Sequence, residues 1–180
     1  MDVARIRKHL QRGGVIAYPT ESCYGLGCDP MNPRAIKRVL KLKKRSPSKG
    51  LILIAANARQ LRPYLQTLAP ALVTRMNARW PGPHTWLVPA ANACPAALRG
   101  DHNTVAVRVT AHRDAAVLCR ATDQALVSTS ANPSGSKPAK TAEECRRLFG
   151  QRVLVIPGKI GTRRRPSTIQ DLVSGKIVRK

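Results

Sequence analysis

The sequence predicts an α/β protein with an open, twisted, mixed β-sheet, flanking helices and a basic concave cleft. Amphipathic helical segments alternate with short apolar strands at first, and short strands dominate towards the end. A chain of 180 residues with 43% hydrophobic content is long enough for one well-buried core and short for two. We therefore predict a single domain over residues 1–180.

The first half of the chain contains clear helix and strand signals. Apolar residues at helical spacing predict an N-terminal helix that ends at Gly13-Gly14, and a strand over residues 15–18 follows. Asn32-Pro33 is typical of a helix start, and the second helix leads into the basic segment KLKKRSPSKG and the buried strand LILIA. Two further helices are predicted over residues 59–66 and 71–78.

The second half begins where the helix-incompatible WPGP forces a turn. A helix is predicted over residues 115–121, and Thr141 with Glu144 forms a capping-box pattern for the last helix. The predicted strands are TWLVPA, TVAVRV, ALVSTS, VLVIP, STIQDLV and KIVRK.

The charge balance points to a phosphate-rich partner. The chain has 32 Lys and Arg against 9 Asp and Glu, a formal net charge of +23. A solvated basic surface is the alternative, but so large an excess of one sign destabilises a compact fold by self-repulsion. Aromatic residues are few, which argues against base stacking, so any direct nucleic-acid binding should be electrostatic.

Other partners and compartments are disfavoured. No apolar run approaches the roughly 20 residues that span a bilayer, and the N-terminal segment lacks a signal-peptide stretch, so we expect a cytoplasmic protein without a membrane partner. The five cysteines lack zinc-type spacing. We expect reduced, mostly buried thiols and no metal ligands among the side chains.

Polar groups follow several predicted strands, where open α/β sheets bind ligands. In YPTESCYGLG, a strand delivers Thr20, Glu21 and Ser22 into a turn, whose Gly25 and Gly27 allow close backbone approach to a ligand. In STSANPSG, the hydroxyls lie outside any nucleophile-elbow pattern. We interpret them as hydrogen-bonding groups rather than nucleophiles.

The basic segment places Lys43, Lys44, Arg45 and Lys49 around Ser46-Pro47. Cations at a helix C-terminus complement the helix dipole, but that role explains one or two charges better than four. A triphosphate would satisfy all of them.

In TVAVRV, Arg108 lies on the strand face opposite three valines. It faces either a cleft or water, and we favour a cleft in which an anion pairs with it. Carboxylates are too scarce and dispersed for a two-metal centre. We expect catalysis by positioning and by neutralising phosphate charge, with Mg²⁺ held mainly by the phosphates of the substrate.

Six segments in order resemble the YrdC family: AYPTESCYGLGCDP, LKKRSPSKGLILIA, RWPGPHTWLVPA, TVAVRV, LVSTSANPSG and PSTIQDL. The resemblance covers nearly the whole chain. It implies an enzyme that joins L-threonine, bicarbonate and ATP into threonylcarbamoyl-AMP and pyrophosphate for tRNA modification. It also implies downstream partners of the TsaD, TsaB and TsaE types.

The resemblance also assigns residues to the two substrates. Lys43, Arg45 and Lys49 are assigned both to ATP binding and to catalysis. Four further residues are assigned to ATP binding alone: Thr104, Asn132, Thr141 and Arg179. Those assigned to threonine are Thr20, Ser22, Arg108, Ser130 and Ser167. Ile54 stands where some family members have a threonine-contacting His.

Two alternatives remain. The net charge also fits a non-catalytic module that binds structured RNA or acts in ribosome maturation. A carbamoyl-phosphate-handling module is the third interpretation. Pyrophosphate release that requires threonine and bicarbonate would separate the enzyme from the binding module.

Overall fold

A computed structural model describes residues 2–180. The helices are α1 (Val3–Gln11), α2 (Pro33–Lys43), α3 (Pro70–Asn77), α4 (Ala96–Arg99), α5 (Arg113–Thr122) and α6 (Ala142–Phe149). The strands are β1 (Ile16–Pro19), β2 (Tyr24–Gly27), β3 (Ile52–Ala55), β4 (His84–Pro89), β5 (Thr104–Val109), β6 (Leu126–Ser130), β7 (Leu154–Val155), β8 (Thr168–Asp171) and β9 (Ile177–Arg179).

Within the described residues, all nine strands join one mixed sheet in the order β7-β1-β2-β6-β3-β5-β4-β8-β9. The pairs β1–β7, β3–β5 and β4–β8 are parallel, and the others are antiparallel. The predicted mixed α/β sheet is therefore confirmed. The C-terminal strands β8 and β9 extend the sheet beyond β4 and form one of its edges. The C-terminal part of the chain therefore packs beside β4, which comes from the middle of the sequence.

The two faces of the sheet are covered to different extents. One face packs under α2, α3 and α6 and contains the larger apolar cluster, including the three valines of β5. On the other face, Ile6 and Leu10 of α1 and Leu118 of α5 cover only part of the sheet, around Tyr18 and Ile54. The remainder of this second face is open.

Local signals explain the helix starts. Asn32 accepts a hydrogen bond from the backbone N–H of Ala35 at 3.1 Å, and Thr141 accepts one from that of Glu144 at 3.1 Å, as both capping patterns predicted. No helix of the described residues is long and apolar enough to cross a membrane.

Two local predictions were wrong. The segment predicted as a helix over residues 59–66 is a 3₁₀ helix, Ala58–Tyr64, because Pro63 lacks the N–H that an α-helical turn needs. The predicted turn follows β1 and contains Glu21 and Ser22, but Gly25 and Gly27 belong to the next strand, β2. A Cβ at Gly27 would lie 2.7 Å from the Tyr18 ring and 2.8 Å from the carbonyl of Val127, so this glycine permits strand packing rather than ligand approach.

Candidate active site

The open part of the second sheet face forms the floor of a cavity of about 780 Å³. Ile52, Ala106 and Ser128 lie side by side on β3, β5 and β6 and line this cavity. Two residues further along the same strands, Ile54 and Leu126 are buried under α5. One face of the sheet therefore serves as hydrophobic core at one end and as the cavity floor at the other.

The cavity has a strongly basic lining. Its charged side chains are Lys43, Arg45, Lys49, Arg99, Arg108, Lys140, Arg164 and Arg179. No Asp or Glu lines it within the described part of the chain. Eight cations with no carboxylate among the lining residues repel one another, so the cavity favours a ligand that carries several negative charges.

Lys43 connects the end of α2 to the loop after β6. Its side chain is 3% exposed, and its Nζ donates to the carbonyl of Ser130 at 2.7 Å, to the Ser130 hydroxyl at 3.1 Å and to Asn132 Oδ1 at 2.9 Å. Burial, and then the nearby Arg45, lower the pKa of Lys43 to about 8. Because all three donors are occupied, Lys43 contributes its charge to the cavity from a fixed position.

Arg45 stabilises the basic segment from within. Its guanidinium donates to the carbonyls of Gly50 at 3.1 Å and Lys49 at 3.0 Å, and burial lowers its pKa. Lys49 is exposed at the cavity rim. The predicted grouping of Lys43, Arg45 and Lys49 at one cavity is therefore present, whereas Lys44 is exposed and does not line it.

The cavity has two ends along β5. The hydrogen bonds of Lys43 to Ser130 bring the basic segment to the end near Thr104. Arg108 is four residues further along β5, which corresponds to about 13 Å of extended strand. This separation suits a ligand with two anionic groups, or two ligands that meet between the ends.

Arg108 lies on the cavity face of β5, as the valine alternation predicted. It is 8% exposed, and its Nη2 is 3.3 Å from Glu21 Oε2. Glu21 Oε1 accepts hydrogen bonds from Thr110 Oγ1 at 2.7 Å and from the backbone N–H of Ala111 at 3.3 Å. Burial raises the pKa of Glu21, but Arg108 and these hydrogen bonds outweigh it, so the net pKa is lowered and the carboxylate is ionised.

Hydroxyls predicted for threonine binding also line the cavity: Thr20, Ser22, Ser130 and Ser167. Ser167 Oγ lies 2.8 Å from Thr85 Oγ1, and Arg179 donates to the Ser167 carbonyl at 2.8 Å. Burial lowers the pKa of Arg179, and the charges of Arg108 and Arg45 lower it further. Arg179 therefore joins β9 to the cavity wall in the neighbourhood of both cationic ends.

Three residues that the sequence analysis singled out do not line the cavity. Asn132 and Thr141 do not line the cavity: the Asn132 side chain binds Lys43, and Thr141 caps α6. Ile54 is fully buried against α5, so this position does not face the cavity. The contacts of Asn132 and Thr141 with ATP remain predictions, and Asn132 would act through Lys43.

Other lining residues escaped the sequence interpretation. Ser128 is buried on the cavity floor. It lies two residues before Ser130 on β6 and is therefore nearer to Arg108 than Ser130 is. Arg99, Lys140 and Arg164 contribute charges from three loop or helix-end positions. Only a general basic surplus marked them in the sequence, because their approach depends on contacts between distant segments.

Metal ligation by side chains has little support in this cavity. Within residues 2–180, no three His, Cys, Asp or Glu side chains are grouped for a metal ion. Cys23 lines the cavity, but burial raises its pKa and keeps it a thiol. A cation such as Mg²⁺ prefers carboxylate oxygens, which the lining lacks, so the protein residues do not fit a dedicated Mg²⁺ site.

Fold and cavity together define an α/β protein with a binding site for polyanionic ligands. The profile of the Sua5/YciO/YrdC family, described as "Telomere recombination", matches residues 8–180. The chain belongs to this family.

Relatives at high identity cover almost the whole chain. The chain is 60% identical to "Threonylcarbamoyl-AMP synthase" of Thiobacillus denitrificans over 174 residues, which is 97% of this chain and 93% of the relative. It is also 60% identical to the protein of the same name from Methylobacillus flagellatus over 177 residues, 98% of each chain.

Solved structures share the fold. P. abyssi Sua5 complexed with L-threonine has a TM-score of 0.87 and 28% identity, and the match covers 95% of this chain. This chain spans about half of that Sua5, 51% of its length. E. coli YciO has a TM-score of 0.85 and 25% identity, with 99% of this chain and 88% of YciO covered.

Proposed function

We propose that this protein is a nucleotidyltransferase that forms threonylcarbamoyl-AMP and pyrophosphate from L-threonine, bicarbonate and ATP, for the modification of tRNA. The observation that carries this proposal is the cavity with eight cations, no lining carboxylate and a buried arginine that lies about 13 Å along β5 from Thr104 at the basic end. The names of the relatives at 60% identity support the specific reaction.

The proposed reaction proceeds in two steps. The amine of threonine attacks the carbon of bicarbonate, and water leaves to give a carbamate. A carbamate oxygen then attacks the α-phosphorus of ATP, the bond to the β-phosphate oxygen breaks, and pyrophosphate leaves. The second step develops negative charge on the departing pyrophosphate, and fixed cations stabilise such charge without reorganisation at the moment of reaction.

The two ends of the cavity fit the two substrates. In the proposal, Lys43, Arg45 and Lys49 bind the phosphates, with Thr104 and Arg179 beside them. Lys43 and Arg45 already hold fixed positions, through contacts with the Ser130 loop and with backbone carbonyls, whereas Lys49 is exposed at the rim. Positioned charge of this kind is the main catalytic contribution expected of phosphoryl and nucleotidyl transfer sites.

At the other end, we propose that Arg108 binds the carboxylate of threonine. A guanidinium can make a two-point contact with a carboxylate, and the Arg108 side chain lines this end of the cavity. We also assign the lining hydroxyls of Thr20, Ser22 and Ser167 to the amine and hydroxyl of the substrate, together with that of Ser130, which contacts Lys43. The Sua5 relative is described as complexed with L-threonine, which supports an amino-acid subsite in this fold.

Mg²⁺ is proposed as a companion of ATP rather than as a ligand of the protein. It would neutralise part of the triphosphate charge, and the lining offers it no carboxylate. We also propose that residues 1–180 act as one domain in the cytoplasm and that TsaD-, TsaB- and TsaE-type proteins use the product.

One experiment tests the proposed function. Purified protein with ATP and Mg²⁺ is expected to release pyrophosphate only when both threonine and bicarbonate are present, and mass spectrometry should detect threonylcarbamoyl-AMP. Serine and valine in place of threonine serve as controls for the amino-acid site. Absence of pyrophosphate release together with tight binding to structured RNA would favour the binding module, which the net charge of +23 also suits.

A further inference from the structure

Glu21 is the buried anion behind the basic cavity. It lies in the turn after β1, its side chain is 12% exposed, and it does not line the cavity. We propose that Glu21 is a positioning residue that fixes the Arg108 guanidinium for the carboxylate of the amino-acid substrate. The inference rests on the proposed function for the identity of that substrate.

The Glu21 carboxylate is attached to the same strand end that carries Arg108. Oε1 accepts hydrogen bonds from Thr110 Oγ1 and from the backbone N–H of Ala111, just beyond β5. Oε2 has no hydrogen-bond partner among the described residues and faces Nη2 of Arg108 at 3.3 Å as an ion pair. The carboxylate therefore has one oxygen anchored and the other directed at the guanidinium, so it determines where Arg108 can lie.

The surrounding charges explain why Arg108 needs this anchor. Arg108 and Arg45 are each close enough to Arg179 for their charges to lower the pKa of Arg179, beyond the larger effect of burial. Without an anion, like charges would displace the Arg108 guanidinium from its place. With Nη2 paired to Glu21, Arg108 still lines the cavity, and its buried Nε has no acceptor among the described residues, so the guanidinium keeps unused hydrogen-bonding capacity beside the ligand space.

The backbone of the turn that contains Glu21 makes contacts that are independent of the Glu21 side chain. The Glu21 carbonyl accepts a hydrogen bond from the N–H of Arg163 at 3.1 Å, and the Thr20 carbonyl accepts one from Gly161 at 2.9 Å. These bonds hold the loop that brings Arg164 to the cavity. A side-chain substitution at Glu21 leaves them in place, so it tests the carboxylate alone.

Glu21→Gln is the informative variant, because the amide keeps the size of the side chain and an oxygen for Thr110 but places no charge opposite Arg108. We expect the apparent threonine KM to rise about tenfold or more, because charged hydrogen bonds lose strength when one partner is neutralised. The ATP KM should stay within about twofold, since the phosphates bind at the other end. Glu143→Gln, at the exposed start of α6, is the matched control for loss of one negative charge.

Combination with Arg108→Ala separates positioning from a general structural role. If Glu21 acts through Arg108, Glu21→Gln should add no further loss of threonine affinity in the Arg108→Ala background. Glu21→Gln should also raise the Tm of the Arg108→Ala variant, because that variant has a buried carboxylate without its cation. In the wild-type protein, by contrast, Glu21→Gln should lower the Tm. Circular dichroism checks folding, and Thr110→Val, which keeps the carboxylate but removes its anchor, should give a smaller rise in threonine KM.

The experiments distinguish failure of the role of Glu21 from failure of the proposed function. An unchanged threonine KM in Glu21→Gln, an equal rise in both KM values, or additive effects in the double variant would overturn the proposal. If the wild-type protein releases no pyrophosphate with threonine and bicarbonate, the proposed function fails instead. The Tm values of the four proteins then still decide whether Glu21 positions Arg108, and additivity would overturn it there too.

Discussion

Protonation of Lys43 should control ATP binding in mildly alkaline solution. Its pKa is lowered from 10.5 to about 8, so the Lys43 ammonium loses its proton in mildly alkaline solution. The Ser130 hydroxyl can reverse its role and donate to the neutral amine, so the contacts with the loop after β6 can persist. Loss of the charge is then the main change.

The expected loss of ATP affinity is substantial. A hydrogen bond or close contact with a charged group is worth about 1.5–3 kcal/mol, which corresponds to roughly a tenfold to hundredfold change in the ATP Kd. Affinity should decline above about pH 8, by at most a factor of ten per pH unit. Calorimetric titration with ATP in the absence of threonine measures this decline without interference from the substrate amine.

The contribution of Lys43 to stability has the opposite sign. The folded state holds this proton less tightly than the unfolded chain, so the free energy of unfolding contributed by Lys43 rises between about pH 8 and 10.5. A decline in ATP binding in this window therefore does not report unfolding through Lys43. Denaturant unfolding at the same pH values provides the control for the whole protein.

Two variants sharpen the test. Asn132→Ala removes an acceptor of the ammonium and should move the decline to lower pH. Lys43→Arg should abolish the decline where the variant folds, because arginine stays charged, and Lys44→Arg at the exposed neighbour should leave it unchanged. ATP affinity that is constant to pH 9.5 in the wild type, or a decline that Asn132→Ala leaves in place, would refute the reasoning.

Three further predictions follow from the cavity and the sheet. Arg45→Ala and Lys49→Ala should each lower ATP-dependent turnover by about tenfold to a hundredfold, measured as pyrophosphate release. Arg108→Ala should raise the threonine KM far more than the ATP KM, with only partial rescue by Arg108→Lys, and steady-state kinetics on each substrate decide this. Direct tRNA binding, if present in filter or fluorescence titrations, should weaken steeply as salt increases. A salt-independent affinity would contradict an electrostatic interface.

Local patterns in the sequence predicted much of the fold. The caps at Asn32 and Thr141 and the valine alternation around Arg108 depend on residues at most four positions apart, and the structure confirms all of them. The strand β2 was missed because its glycines look like a turn. Its strand conformation comes from pairing with β1 and β6, and β6 is about a hundred residues later in the chain.

The candidate site shows the same division. The basic segment was recognisable because its cations are contiguous in sequence, and Arg108 because its face of the strand could be read from its neighbours. The partnership with Glu21 joins residues 87 positions apart and left no local signal. Lys43 illustrates a subtler limit, since its buried amine and three acceptors depend on how the loop after β6 folds over the end of α2.

The cavity free of carboxylates has a practical consequence for anyone who handles this protein. With eight cations facing one space, small anions from the solution will accumulate there as counterions whenever substrate is absent. ATP must displace them, so its apparent affinity depends on which anion the buffer supplies and not on ionic strength alone. Phosphate and sulfate should act as competitive inhibitors at concentrations where chloride does not, and kinetic constants measured in phosphate buffer would understate the affinity for ATP.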